Sequence, residues 1–260
     1  MKAVRWGVVI QARLGSTRLP GKVLEDLGGL PMVERIWRQV FAARPGLVPV
    51  LSTSLDAKDD RLCDFAASLG WVVSRGPADD IIGRMQDASV KAQVDAIVRV
   101  WGDCPFVCPD IIEAMIVRFE TEGLEFLTNG TESRTLPIGL DAELYGADLL
   151  KRSASEVSDI FLREFPVQFA MKTVDPLKRG VFNPPSDFPL THLTVDYPED
   201  LAAARAIYKK LSPLNETFTS AELFHILSIE PALIELFAHR PRQADFAEKL
   251  TQFKKRTSGN

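Results

Sequence analysis

Two periods of apolar spacing alternate along this chain. Val8, Val9 and Ile10 form a short unbroken apolar run, which predicts a buried strand. Pro31 suits the first position of a helix, and Val33, Ile36, Trp37, Val40 and Phe41 then recur at helical spacing. Residues 48–54 predict a second strand ending in Ser52-Thr53-Ser54, and Leu62, Phe65, Ala66 and Leu69 a second helical stripe. Trp71-Val72-Val73 predicts a third strand running into Ser74-Arg75-Gly76. A helix over 79–92 follows, with Ile81, Met85 and Ala88 on one face. Residues 96–101 predict a fourth strand, followed at once by Gly102-Asp103-Cys104-Pro105.

Beyond it the pattern predicts a helix over 110–120 and a strand over 124–128. A strand over 139–145 would place Asp141 and Glu143 on one face, since side chains alternate along a strand. A short helix over 147–153, a strand over 167–171 and a proline-marked loop at Pro184, Pro185 and Pro189 come next. Residues 192–196 read as a strand ending at Asp196, and Pro198 opens a helix with Ala204, Ile207, Tyr208 and Leu211 inward. Pro213 breaks the pattern. Residues 220–253 are helical only, with Leu223, Ile226, Leu227, Leu233 and Leu236 apolar, and the tail from Lys254 to Asn260 is expected to fray. Strand–helix alternation predicts an α/β fold: a mostly parallel sheet with helices on both faces over residues 1–212, and a helical C-terminal appendage over 213–260. Ligands of such sheets gather at the carboxyl ends of the strands. The first cationic loop, Ser52-Thr53, Arg75-Gly76 and Asp103 all fall there.

Composition narrows the class. With 46% hydrophobic and 25% charged residues the chain reads as soluble and globular. A net charge of −4 gives a nucleic-acid partner no global support. No run is long enough for a membrane helix, and no signal peptide is visible. Cys63, Cys104 and Cys108 form no disulfide framework and read as reduced thiols, which makes the expected location cytoplasmic. His192, His225 and His239 are scattered, so spacing offers no nucleophilic triad.

The chemistry concentrates after the first strand, in Gln11-Ala12-Arg13-Leu14-Gly15-Ser16-Thr17-Arg18-Leu19-Pro20-Gly21-Lys22. Turn-permitting glycines, hydroxyls and three cations make a cradle for phosphate oxygens. It is not a P-loop: five residues, not four, separate Gly15 from Gly21, and Val23 follows the lysine. Asp103 and Asp196 are hard oxygen ligands suited to Mg²⁺, and each also reads as a residue at a helix start, beside Pro105 and Pro198.

These residues carry a resemblance. The loop from Gln11 to Lys22 resembles the nucleotide loop of the sugar cytidylyltransferases, which include the CMP-KDO and CMP-sialate synthetases, and is closest to the spore coat polysaccharide biosynthesis protein SpsF-like branch. Gly102-Asp103-Cys104-Pro105 and Asp196-Tyr197-Pro198-Glu199-Asp200 are similar to the metal motifs of that family, and Asp141 to an acidic position of the SpsF-like branch. The resemblance implies a Rossmann-like, GT-A-like nucleotidyltransferase sheet and a CTP-dependent cytidylyl transfer to an acidic sugar or sugar phosphate, with release of pyrophosphate, for surface polysaccharide or glycoconjugate synthesis.

It implies roles for residues as well. Arg13, Arg18 and Lys22 would serve catalysis by holding the triphosphate. Gln11, Ala12, Arg13, Gly15, Ser16, Thr17, Lys22, Ser52, Thr53, Arg75, Gly76 and Asp79 would bind the nucleotide. Asp103 and Asp196 would hold Mg²⁺ or another divalent cation, and Asp141 and Glu143 would face the acceptor. The partners implied are a nucleotide and a small sugar acceptor, with neither nucleic acid nor membrane, and a homodimer is compatible with the family. Two positions depart from the pattern: Trp101 stands where relatives carry Thr or Gln, and Asp159-Ile-Phe-Leu-Arg-Glu-Phe165 lacks the histidine of an Asp-Arg-Glu-His segment. Two other classes stay open. A nucleotide-sugar glycosyltransferase would need an Asp-x-Asp site, whereas Asp59-Asp60 and Asp79-Asp80 are adjacent pairs. A non-catalytic nucleotide-binding homologue is the other, and retention of both metal aspartates argues against it.

Overall fold

A computed structural model describes residues 3–211, 216–237 and 244–257. The four early strands form where the apolar runs fall: β1 (Trp6–Gln11), β2 (Val48–Ser54), β3 (Val72–Gly76) and β4 (Ala96–Trp101). Three shorter strands, β5 (Phe126–Thr128), β6 (Glu143–Gly146) and β7 (Arg179–Val181), complete a seven-stranded sheet in the order β3-β2-β1-β4-β6-β5-β7. All neighbouring pairs are parallel except those of β6, which runs antiparallel to β4 and to β5. The fold is the mostly parallel, helix-covered α/β sheet that the alternation predicts.

Alternation along the strands builds two cores. Val8 and Ile10 of β1 and Val98 and Val100 of β4 face one apolar cluster, while Val9 and Ile97 face the other. The first cluster is covered by α1 (Met32–Phe41), α2 (Asp60–Ser68) and α4 (Pro109–Glu122). The second is covered by α3 (Ile81–Ala92), α5 (Ala147–Glu156) and α7 (Pro166–Thr173). Between those last two runs the short α6 (Ile160–Glu164). Late in the chain α8 (Pro198–Leu211), α9 (Ser220–Ile229) and α10 (Ala232–Glu235) add to the first cluster through Ile207, Leu223 and Leu233. The last helix, α11 (Ala244–Thr257), stacks Phe253 on Phe161 of α6, with ring centroids 4.6 Å apart.

Three expected strands differ. Residues 167–171 belong to α7: Pro166 occupies its first turn, and a short, mostly apolar segment interrupted by Gln168 fits either element until its neighbours decide. The strand over 139–145 shortens to β6, which leaves Asp141 outside the ladder. Residues 192–196 form no strand beyond one bridge between Ile138 and His192. Leu193 donates its N–H to Ile138, but Val195 donates to Asp103, so the partner changes within two residues and no ladder propagates. The alternation there was real nonetheless, since Leu193 and Val195 are fully buried. Helix α11 continues through Thr257, past the expected onset of fraying at Lys254. Pro213, His239 and residues 258–260 lie outside the described residues.

Candidate active site

The parallel register aligns Gln11 with Ser52 on one side and with Trp101 on the other, so the carboxyl ends of β1, β2 and β4 form a common edge. A cleft of about 280 Å³ opens at that edge. Its wall includes Gln11 at the end of β1, Ala12, Arg13, Ser16, Thr17, Arg18 and Lys22 from the loop that follows, Trp101 at the end of β4 with Gly102 and Asp103 beyond it, and Asp196.

Two glycines allow the approach. Gly21 takes φ +75°, which turns the loop back toward the sheet just before Lys22. Gly102 packs against the start of the loop, where an added Cβ would lie 2.7 Å from that of Ala12. The Gly102 N–H donates to the carbonyl of Gln11, 2.9 Å.

Lys22 is the centre. It is 7% exposed, and its ammonium donates to the Val195 carbonyl at 2.6 Å and to Asp103 Oδ2 and Asp196 Oδ1 at 3.2 Å each. Arg18 Nη2 reaches the same Asp196 oxygen at 2.8 Å and its guanidinium lies 5.1 Å from the Tyr197 ring centroid. The Thr194 hydroxyl donates to Asp196 Oδ2 at 3.0 Å. The two aspartates, far apart in sequence, thus share one buried cation. Asp196 reaches it on an extended segment pinned to Asp103 by the Val195 N–H, not at the end of a sheet strand.

Burial works against the charge of both Lys22 and Asp196 and is outweighed. Asp103 and Asp196 raise the Lys22 ammonium above its ordinary 10.5. Lys22, the Thr194 hydroxyl and Arg18 hold the Asp196 carboxyl below its ordinary 3.8. A carboxyl depressed in the fold adds stability above its unfolded value and loses it as pH falls through its folded value. A raised amine adds stability below its unfolded value and loses it as pH rises through its folded value. The cluster's contribution is therefore expected to be constant between about pH 5 and 9 and to fall away in acid below 3.8 and in base above 10.5. Melting curves of the wild type and Asp196→Asn across pH check this: the gap between them should be flat at neutral pH and close in acid. A gap that widens below pH 4 would contradict the arrangement.

Other expected residues have other places. Ser52 and Thr53 are buried behind the loop, and the Thr53 hydroxyl donates to Asp59 Oδ2, 3.0 Å. Asp59 Oδ1 accepts from the Leu14 N–H at 2.7 Å, so this carboxylate, which sequence reasoning missed, ties the loop to the end of β2. It is Ser54 that reaches the cleft. Gly15 lines an adjoining depression with Arg13, Ser54 and Asp59. Arg75 turns away, donating to the carbonyls of Ser54 and Asp56 and to Asp60. Asp79 is exposed and Gly76 buried, and neither lines the cleft.

Asp141 and Glu143 do not form a shared acidic face. Asp141 pairs with Arg134 at 2.6 Å and accepts from the Gly139 N–H. Glu143 is buried with Arg99 and the Tyr145 hydroxyl, each at 2.6 Å. Neither touches the cleft, but Glu143 acts on it at one remove. Its partner Arg99 donates from Nε and Nη2 to Gln11 Oε1, at 2.9 and 2.6 Å, which leaves Gln11 its amide N–H groups for the cleft. The same guanidinium lies 4.5 Å from the ring centroid of Trp101. The departing segment at Asp159–Phe165 forms α6: Asp159 caps it, Arg163 donates to both oxygens of Asp80, and Glu164 lines the cleft while pairing with Lys249.

A cationic loop at the carboxyl edge of a parallel sheet, facing two carboxylates, defines a nucleotide-handling α/β protein. The cytidylyltransferase family model matches residues 7–253, and the chain belongs to that family of CTP-dependent nucleotidyltransferases. It is 28% identical over 236 residues to the spore coat polysaccharide biosynthesis protein SpsF of Bacillus subtilis, covering 86% of this chain and 94% of that one. It is 31% identical over 175 residues to a 3-deoxy-manno-octulosonate cytidylyltransferase of Maricaulis maris, covering 66% and 65%. A solved cytidylyltransferase from Leptospira borgpetersenii superposes with a TM-score of 0.80 at 28% identity, over 92% of this chain and all of that one.

Proposed function

We propose that this chain transfers CMP from CTP to an acidic sugar or a sugar-phosphate-like acceptor, releasing pyrophosphate, in the synthesis of a surface polysaccharide or glycoconjugate. The observation that carries the reading is the convergence of Asp103 and Asp196 on Lys22 beneath the cationic loop. The relatives' names, one a 3-deoxy-manno-octulosonate cytidylyltransferase and one a polysaccharide biosynthesis protein, support the acceptor class.

An acceptor oxygen attacks the α-phosphorus and pyrophosphate leaves, so the protein's task is chiefly to position groups and balance charge. Arg13, Arg18, Lys22 and the loop N–H groups hold the triphosphate. Arg18 is aimed in advance by Asp196 and Tyr197. Asp103 and Asp196 supply hard carboxylate oxygens, a donor set that fits Mg²⁺ when phosphate oxygens and water complete its shell. Such a cation supplies charge neutralisation on the phosphates. No side-chain nucleophile is needed, and Cys104 does not offer one: burial, with Asp103 beside it, pushes its thiol well above the ordinary range.

CTP is expected to raise the melting temperature more than UTP, ATP or GTP, because a ligand bound only by the folded state stabilises it, by about 2.7 kcal/mol at a hundred times Kd. Thermal-shift measurements with the four triphosphates in Mg²⁺ test this. Equal shifts, or a larger shift with UTP, would count against cytidylyl transfer.

A further inference from the structure

Among the described residues, one buried cation in the cleft wall has no carboxylate within ion-pair or hydrogen-bond distance. Arg84, in the first turn of α3, is 4% exposed. Among the described residues its guanidinium makes one hydrogen bond, from Nη2 to the Ala78 carbonyl at 3.1 Å, and Nε is buried with no acceptor. Asp80, the N-cap of α3, is taken by the fork of Arg163, and it and Asp59 act on Arg84 only at longer range. Burial, and then the positive charges of Arg99 and Arg13, lower the Arg84 pKa to about 10.

The site is built to keep this side chain where it is. Gly76 lies under its stem, and a Cβ there would sit 2.8 Å from Arg84 Cγ. The Ala78 carbonyl fixes one nitrogen of the fork. A buried guanidinium without a counter-charge costs stability unless an anion completes it. Its planar fork matches a phosphate or carboxylate.

We propose that Arg84 is an anion-recognition residue of the cleft, its unpaired guanidinium edge completed by an oxyanion of the substrate. The oxyanion belongs either to a phosphate of the nucleotide or to the acid group of the acceptor, and the choice between them rests on the cytidylyl-transfer reading above. This function falls to Arg84 because Arg75, the more obvious cation at the end of β3, is committed to Asp60 and to the carbonyls of Ser54 and Asp56.

The test compares wild type, Arg84→Met and Arg84→Lys by calorimetric binding of pyrophosphate, CTP and cytidine, by acceptor KM, and by melting temperature without ligand. Methionine keeps the volume of the stem and removes the unpaired charge, so its melting temperature should hold or rise. If the oxyanion is a nucleotide phosphate, Arg84→Met loses about 10–100-fold in CTP and pyrophosphate affinity and little for cytidine, the scale of charged hydrogen bonds. If it is the acceptor's acid group, acceptor KM rises by a similar factor while CTP binding holds. Lysine should restore part of either loss. An Arg84→Met protein that melts lower, or that loses cytidine and CTP affinity equally, would show a structural residue and overturn the proposal, as would unchanged affinity and KM. Failure of the reading itself is separately visible: wild type would then show no preference for CTP, while the pyrophosphate comparison would still report on Arg84.

Discussion

Lys22→Met is expected to be the most damaging single change in the molecule, costing about 3 kcal/mol of stability and reducing turnover to background. The ammonium is buried and satisfies two carboxylates and a carbonyl. Removing one partner of a buried ion pair costs about 3–5 kcal/mol, because the remaining charge stays desolvated. The lower end applies here, since the Asp103 side chain is one-third exposed and can rehydrate, and Arg18 still pairs with Asp196. For a domain of this size that amounts to a fall of roughly 6–12 °C in melting temperature. Calorimetry and a pyrophosphate-release assay check both parts. A variant that melts within a degree or two of wild type would show that the cluster holds little energy.

The second large effect separates the metal role from the structural one. Asp103→Asn and Asp196→Asn are each expected to lower kcat by at least about 10²-fold while CTP still binds, since a catalytic metal supplies several kcal/mol of charge stabilisation. Asparagine keeps the shape of the side chain and caps a helix nearly as well as aspartate. A residue serving only as a helix cap would therefore tolerate the change. The structure already separates the two candidates for the second motif. Asp200 accepts from the N–H groups of Asp196 and Tyr197 at 2.9 Å and so holds the turn, while an oxygen of the Asp196 carboxylate faces Lys22. Normal turnover in either Asn variant would remove that residue from the metal site.

Why some of this was legible in the sequence and some was not follows from how each element is held. The central strands are apolar on both faces because helices cover both, so β1 and β2 show as apolar runs with polar groups at their ends, and Arg99 alone interrupts β4. The loop from Gln11 to Lys22 was legible because it needs glycines, cations and a strand end in one local stretch. Asp196 was legible as a site residue but not by its route: its segment is anchored by two different backbone partners, Ile138 and Asp103, which no local pattern encodes.

Arg84 shows the same limit from the other side. It falls at i+3 from Ile81 and i−4 from Ala88, on the inward stripe of α3, and a cation on an apolar stripe was the signal that could have found it. Arg75 is the cation that sequence position singles out, because it closely follows the apolar run Trp71-Val72-Val73. What turned Arg75 outward is the carboxylate of Asp60 and two carbonyls from other parts of the chain. Likewise Asp141 and Glu143 share a parity in sequence but not a face, since the ladder begins only at Glu143 and each carboxylate finds its own arginine.

The central claim, cytidylyl transfer at the Lys22–Asp103–Asp196 cluster, is tested most directly by following the α-phosphate. CTP labelled at that phosphorus would be incubated with Mg²⁺ and a set of acid sugars and sugar phosphates, and the products separated. The account predicts label on one acceptor, with one pyrophosphate released for each labelled product, and neither outcome in Asp196→Asn. Label that stays in CTP with every acceptor, or transfer that proceeds equally well from UTP, would contradict it.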